Sequence, residues 1–146
     1  MDRREGRRYE FPVLVAIIGV LAFLLMNALD RVREEFEEAA VQSEVAALRV
    51  ELMDRLAHHQ LVGGALPESR NPLLWIERKP GNYLGELEAT PEAGGVWYFD
   101  RKREELVYRY RSGREVRFRL VRGVAAGGVK GSLAGVGLAR IGETAN

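Results

Sequence analysis

The stretch that decides the fold is residues 11–29, FPVLVAIIGVLAFLLMNAL, in which nineteen consecutive residues carry no charge. As an α-helix it would be about 28 Å long, close to the roughly 30 Å hydrocarbon core of a bilayer. The remainder of a 146-residue chain is too small to bury such a helix inside a soluble core. A cleaved secretory signal is the competing interpretation, but its apolar region spans only about 7–15 residues and ends in small residues. The greater length, and the ending Met26-Asn27-Ala28-Leu29, favour a retained transmembrane helix.

Charged residues flank this stretch unequally. The basic N-terminus, residues 1–10, contains four arginines: Arg3, Arg4, Arg7 and Arg8. Residues 30–38, on the other side, hold five acidic residues and two arginines. Because positively charged flanks stay in the cytoplasm, the N-terminus is predicted to be cytoplasmic and the 117 residues after the span to be exported. In a bacterium this predicts a single-pass inner-membrane protein with a periplasmic C-terminal domain.

The composition excludes several classes of site. The chain has no cysteine, so it has no disulfide scaffold, thiolate zinc site or cysteine nucleophile. Lys and Arg total 22 against 21 acidic residues, and this net charge of +1 does not indicate a polyanionic partner. Hydrophobic residues at 47% and charged residues at 29% are typical of a folded chain, not of a disordered or multi-span one.

An amphipathic pattern continues the predicted helix through residues 30–62. No proline or glycine occurs between residues 20 and 62, so the helix is expected to end near residue 60, before Gly63-Gly64. One stripe with a seven-residue repeat consists of Val32, Phe36, Ala39, Ser43, Ala46, Val50, Met53 and Ala57. A second stripe consists of Val41, Val45, Leu48, Leu52 and Leu56. The two stripes leave two interpretations open: a stalk that touches only its own domain, or a helix that also packs against partner helices.

Residues 63–122 are predicted to form a small α+β domain. Asn71-Pro72 is typical of a helix start, with one or two turns before Pro80, and residues 80–85 are predicted to form a turn. A period of two predicts strands at residues 96–100, 105–111 and 114–122. The glycine-rich tail, residues 123–146, is expected to hold at most an edge strand near residues 133–141. The predicted fold class is therefore α+β, a long N-terminal helix whose second stripe covers a small antiparallel sheet.

The sequence offers little for catalysis. Adjacent His58 and His59 point about 100° apart on a helix, so a polar helix end is favoured over a weak metal site with Asp54. None of the four serines lies in a nucleophile-elbow motif. The glycine-rich stretches 127–132 and 135–140 depart from the phosphate-loop and dinucleotide motifs. We therefore expect no enzymatic activity, no cofactor and no metal.

The predicted hairpins are basic, with nine Lys/Arg and four acidic residues between positions 100 and 122. Tyr108, Tyr110 and Phe118 lie among these arginines, a pattern that also occurs in proteins that bind single-stranded nucleic acid. The alternative is a solvated outer face on which arginine stems cover apolar surface. We favour the alternative, since a periplasmic domain meets little nucleic acid.

The stretch 10–22, EFPVLVAIIGVLA, resembles the Glu-x-x-x-x-x-Ala-Ile-Ile-Gly-Ile-Leu-Ala pattern of type IV pilins and type II secretion pseudopilins. The resemblance implies that Glu10 neutralises the amino terminus of a neighbouring subunit during filament assembly. Gly6 is followed by Arg7-Arg8-Tyr9, which departs from the family's cleavage site and leaves processing by a prepilin peptidase open. The same architecture fits bitopic accessory proteins of pilus biogenesis, such as those of mannose-sensitive haemagglutinin pili.

These observations favour a non-enzymatic minor pilin-like or accessory component of a type IV pilus or type II secretion assembly. Its expected partners are the lipid bilayer and other inner-membrane or pilin-like subunits. The predicted partner-binding residues all lie on the N-terminal helix: Glu10, Phe11, Ala16, Gly19, Phe23, Val32, Phe36 and Ala39. The alternative function is that of a single-pass sensor or scaffold whose small domain binds a ligand or partner.

Overall fold

The computed structural model describes residues 6–123 and 136–144, and side chains within 10–123 and 136–142. It contains one long α-helix, α1 (Gly6–Val62), and a 3₁₀ turn at Pro72–Leu74. Its five strands are β1 (Tyr83–Leu87), β2 (Val96–Asp100), β3 (Glu105–Arg109), β4 (Glu115–Arg122) and β5 (Val136–Thr144). The predicted fold class, α+β with a long N-terminal helix packed on a small sheet, is thereby confirmed.

The chain divides into two compact units, Met1–Glu38 and Ala39–Asn146. The first unit is helical throughout its described residues, and the second holds the rest of α1 and the sheet. Arg3, Arg4 and the glycine-rich stretch 127–132 lie outside the described residues, as do the side chains of Arg7 and Arg8.

Helix α1 ends just before Gly63, because this glycine adopts a left-handed backbone conformation. Gly63 adopts a positive φ of 78°, and its N–H donates a 2.9 Å hydrogen bond to the carbonyl of His59. A glycine in this left-handed conformation terminates a helix because it carries no Cβ. The predicted end near residue 60 is therefore confirmed to within two residues. The helix begins at Gly6, earlier than predicted, and includes Pro12.

The sheet has the order β1-β2-β3-β4-β5. Strands β2 to β5 pair antiparallel, with Trp97 opposite Tyr108 and Leu106 opposite Phe118. Gly113, with φ of 87°, forms the tight turn of the β3–β4 hairpin, where the Tyr110 N–H donates to the Arg114 carbonyl at 2.8 Å. This hairpin was predicted from its Ser-Gly turn and alternating flanks.

The structure refines several predictions about the small domain. The predicted turn 80–85 is present in its first half, where the Tyr83 N–H donates to the Pro80 carbonyl at 3.1 Å, but strand β1 begins at Tyr83. This strand pairs parallel with β2, so the sheet is mixed and not purely antiparallel. The helix start at Asn71-Pro72 is confirmed, and of the predicted one or two turns the structure has a single 3₁₀ turn. Strand β3 ends at Arg109, two residues early, and β4 begins at Glu115, one residue late. The edge strand runs over Val136–Thr144 instead of residues 133–141, so that much of the supposed tail belongs to the sheet.

One face of the sheet is covered by the second stripe of helix α1. All five residues of that stripe are at most 6% exposed: Val41, Val45, Leu48, Leu52 and Leu56. They pack in two clusters on a sheet face that includes Trp97, Leu106, Phe118 and Leu120. The ring centroids of Trp97 and Tyr108 lie 4.9 Å apart in an edge-on arrangement. The predicted helix-on-sheet core is therefore confirmed.

Three charged residues of α1 form polar contacts with other parts of the second unit. The Glu44 carboxylate accepts a 2.5 Å hydrogen bond from the Trp97 indole N–H. Arg49 donates to the carbonyl of Leu138 at 3.3 Å. Glu51 accepts from the backbone N–H groups of residues 77 and 78 at 3.2 and 3.3 Å. These bonds fix how the helix is rotated about its own axis on the sheet. Apolar contacts alone define that rotation less precisely.

Candidate interaction surface on helix α1

Residues 11–29, in the first part of helix α1, expose a continuous apolar surface. Every residue from Glu10 to Phe36 is exposed, and Phe11, Phe23 and Phe36 expose 72%, 65% and 71% of their surface. Such a large apolar surface is unfavourable in water and is normally covered by lipid or by protein. By length and composition, this helix is apolar enough to cross a membrane.

All eight predicted partner-binding residues lie on α1 and are exposed. Within the first unit they do not share one face. At 100° per residue, Ala16, Gly19 and Phe23 lie within an arc of about 60°, whereas Val32 and Phe36 lie on the opposite side of the helix. A single straight partner helix therefore contacts one of these two groups and not both.

In the second unit, the first stripe of α1 lies on the helix surface turned away from the sheet. Ala39, Ser43 and Ala46 are exposed, and Val50 is 68% exposed. Met53 and Ala57, at the end of the stripe, are half-buried. Small side chains at this spacing allow the backbone of another helix to approach closely. Both interpretations of the two stripes, a stalk or a helix with partners, are compatible with this arrangement.

Glu10 is exposed, and among the described side chains it has no ion-pair partner. His58 is exposed and His59 is half-buried near the end of α1. The described residues hold no group of three or more His, Cys, Asp or Glu side chains suited to a metal ion.

The outer face of the sheet carries a network of charges instead of a row of free arginines. Glu105 and Glu115 are buried, with 4% and 7% of their surface exposed. Arg117 donates to Glu115 at 2.6 Å and to Glu105 at 3.4 Å. Arg119 donates to Glu105 at 2.6 Å, and Arg109 to Glu115 at 3.1 Å. Burial works against the charge of Arg117, but Glu115 and Glu105 outweigh it and raise the pKa of that guanidinium.

The aromatic residues of the hairpins lie on the other side. Tyr108, Tyr110 and Phe118 are each at most 5% exposed and belong to the core under helix α1. Stacking on nucleic-acid bases requires exposed rings, and in this conformation these rings are covered. Arg109, Arg117 and Arg119 of the outer face have carboxylate partners, which neither interpretation of the basic hairpins predicted.

No family model, curated protein or solved structure matches this chain.

Sequence reasoning missed the polar contacts of helix α1. Glu44, Arg49 and Glu51 lie outside the two predicted stripes, and charged residues beside an apolar stripe usually face water. Their partners lie up to 89 residues away along the chain, so no local pattern indicates them. Two features of the sequence point to these contacts. The three charged residues neighbour buried positions of the second stripe, and tryptophans in a core need hydrogen-bond acceptors.

Proposed function

We propose that this protein is a single-pass inner-membrane component of a type IV pilus or type II secretion assembly. It would be a minor pilin-like or membrane-resident accessory subunit that acts through helix α1 and catalyses no reaction. The observation that carries the proposal is the form of α1. Its first part exposes apolar side chains all round, and its last part is amphipathic and packs on the sheet.

The charge distribution supports the orientation within this proposal. Four arginines precede the apolar stretch, and acidic residues dominate residues 30–38. By the positive-inside rule, this distribution favours a cytoplasmic N-terminus and a periplasmic sheet. The absence of cysteine is compatible with that oxidising compartment.

The closed charge network supports a non-enzymatic role. Catalytic carboxylates are usually accessible and reach substrate with at least one oxygen. Here Glu105 and Glu115 are buried and engage arginines on their own sheet. Such a network stabilises one arrangement of the strands and leaves the exposed helix as the surface for partners.

The absence of cysteine allows a direct test with single-cysteine variants in the native host. Gly19→Cys and Val32→Cys report on the two opposite sides of the helix, and Arg103→Cys, on an exposed loop, is the control. We expect a benzophenone maleimide attached to the cysteine at residue 19 or 32, and not at 103, to photocrosslink to pilin or secretion-system subunits identified by mass spectrometry.

A topology measurement accompanies the crosslinking. A C-terminal alkaline phosphatase fusion should be active and a C-terminal green fluorescent fusion should be dark. The reverse pattern contradicts the proposed orientation. Crosslinks confined to copies of this chain, without any pilus or secretion protein, contradict the assembly role and favour the sensor or scaffold alternative.

A further inference from the structure

The end of helix α1 and the segment after it enclose a cleft of about 260 Å³ within the second unit. Its walls include the side chains of Leu56, Leu66, Pro67 and Trp75. Leu56 and Trp75 are buried, with 1% and 6% of their surface exposed, so the interior of the cleft is apolar. A cleft of this size and lining suits a small molecule with an apolar body.

The polar groups of the cleft are cationic or basic. Arg55, His58 and His59 line it, and none of the described residues that line it is acidic. The guanidinium of Arg122 lies over the Trp75 ring, 4.8 Å from its centroid. Arg55 forms an ion pair with the exposed Glu77. This pair uses some, but not all, of the five N–H donors of the Arg55 guanidinium. The described lining therefore offers N–H donors and ring nitrogens to an anionic group and no carboxylate to a cation.

His59 supplies a second, independent observation. Its Nε2 atom is buried and has no hydrogen-bond partner among the described residues. A buried ring nitrogen without a partner is unfavourable by an amount comparable to a lost hydrogen bond. Nε2 lies beside Gly64, where an added Cβ would come within 3.4 Å of it.

We propose that this cleft binds a small amphipathic carboxylate. The apolar body of the ligand packs on Leu56, Leu66 and Trp75, and its carboxylate lies toward Arg55 and His59. A bare inorganic anion leaves the apolar walls without contacts, and a neutral apolar molecule without an acceptor or donor leaves Nε2 of His59 without a partner. This inference concerns a site separate from the exposed surface of α1 and does not depend on the proposed assembly role.

The test uses ¹⁹F NMR of the full chain labelled with 5-fluorotryptophan in lipid nanodiscs. The sequence has two tryptophans, so Trp75 reports on the cleft and the buried Trp97 is an internal control. We expect 3-phenylpropionate to shift the Trp75 resonance saturably while the Trp97 resonance stays in place. The neutral 3-phenylpropanamide should need a concentration at least about tenfold higher.

Two variants locate the binding. Arg55→Gln should raise the Kd for 3-phenylpropionate at least about tenfold, whereas Arg103→Gln, an exposed control, should not change it. Ala65→Phe fills the cleft from the loop side and should abolish the shift, with an unchanged Trp97 resonance confirming the fold. Absence of a saturable shift up to about 10 mM, or equal affinity for the amide, would overturn the proposal.

Discussion

The indole N–H of Trp97 on strand β2 donates a 2.5 Å hydrogen bond to the carboxylate of Glu44 on helix α1. Trp97 is fully buried, and its ring also packs against Tyr108 and Phe118. One side chain therefore joins the helix to the sheet both by apolar contact and by a charge-assisted hydrogen bond. Such bonds to ionised groups are about twice as strong as neutral ones.

The first prediction concerns this bond. In a soluble fragment of residues 31–146, Glu44→Leu should lower the free energy of unfolding by about 1–3 kcal/mol, because the buried indole N–H loses its acceptor. Glu44→Gln retains an acceptor oxygen and should cost less. Chemical unfolding followed by tryptophan fluorescence measures both changes. Glu34→Leu, at an exposed position on the same helix, should stay within about 0.5 kcal/mol of wild type; a Glu44→Leu variant equally stable would contradict the prediction.

The second prediction tests the buried stripe. Leu52→Asp or Leu56→Asp should destabilise the same fragment by at least about 3 kcal/mol, because an unpaired carboxylate enters the core. That is a large share of the stability of a small domain. The matched control is Val50→Asp, since Val50 lies on the same helix and is 68% exposed. If thermal melting gave one transition temperature for all three variants, the helix would not cover the sheet in solution.

The second stripe of α1 and the strands β2 to β4 could be predicted from the sequence, because their apolar residues recur at a regular local spacing. Leu52 and Leu56 belong to a run of buried positions at helical spacing, and residues 115–120 alternate between the two faces of a strand. Apolar periodicity of this kind reports directly on which side of an element meets the core.

Strand β1 could not be predicted from a pattern of this kind. Tyr83–Leu87 is short and carries Gly85 at a positive φ of 103°, so its local signals resemble a turn. It becomes a strand through parallel pairing with β2, in which Tyr83 lies opposite Trp97. The cleft is another such case, because the chain after α1 brings Trp75 next to Leu56. Contacts between distant residues leave no periodic trace in a single sequence.

The third prediction concerns alkaline pH. Burial, together with the nearby Glu115, raises the pKa of Tyr98 above 10, its ordinary value, and burial likewise raises the pKa of Tyr83. The folded protein thus holds these phenolic protons more tightly than the unfolded chain does. The stability contributed by each tyrosine is complete below about pH 10 and is lost as pH rises through the folded-state pKa.

Unfolding free energies measured from pH 8 to 12, with tyrosinate absorbance as a second readout, test this expectation. Wild-type fragment should lose stability above about pH 10. In Tyr98→Phe the unfolding free energy should fall less steeply with pH, because one of the two phenolic protons responsible is absent. This comparison of slopes holds whatever the stability of the variant at neutral pH. The prediction fails if the two proteins have parallel pH profiles over this range.

The fourth prediction concerns Glu10, at the cytoplasmic edge of the proposed span. A carboxylate at the boundary of a hydrocarbon core is unfavourable unless a positive group meets it, so an ionisable residue there is a functional candidate. In an assembly, the positive group would be the amino terminus or an arginine of an adjacent subunit. Glu10→Gln should then reduce crosslinking to pilus or secretion components and reduce piliation or secretion. Membrane insertion and the fold of the sheet should stay unchanged.

Asp30→Asn is the matched control for Glu10→Gln, because Asp30 lies at the other end of the apolar stretch and is exposed, with Arg33 as its partner at 3.7 Å. An exposed pair of this kind contributes about 0–1 kcal/mol, so its loss should leave assembly intact. The competing interpretation places Glu10 at the level of the lipid headgroups, hydrated and close to the N-terminal arginines. In that case Glu10→Gln would behave like Asp30→Asn. Wild-type crosslinking and wild-type filament or secretion activity in both variants would therefore leave the Glu10 carboxylate without a role in assembly.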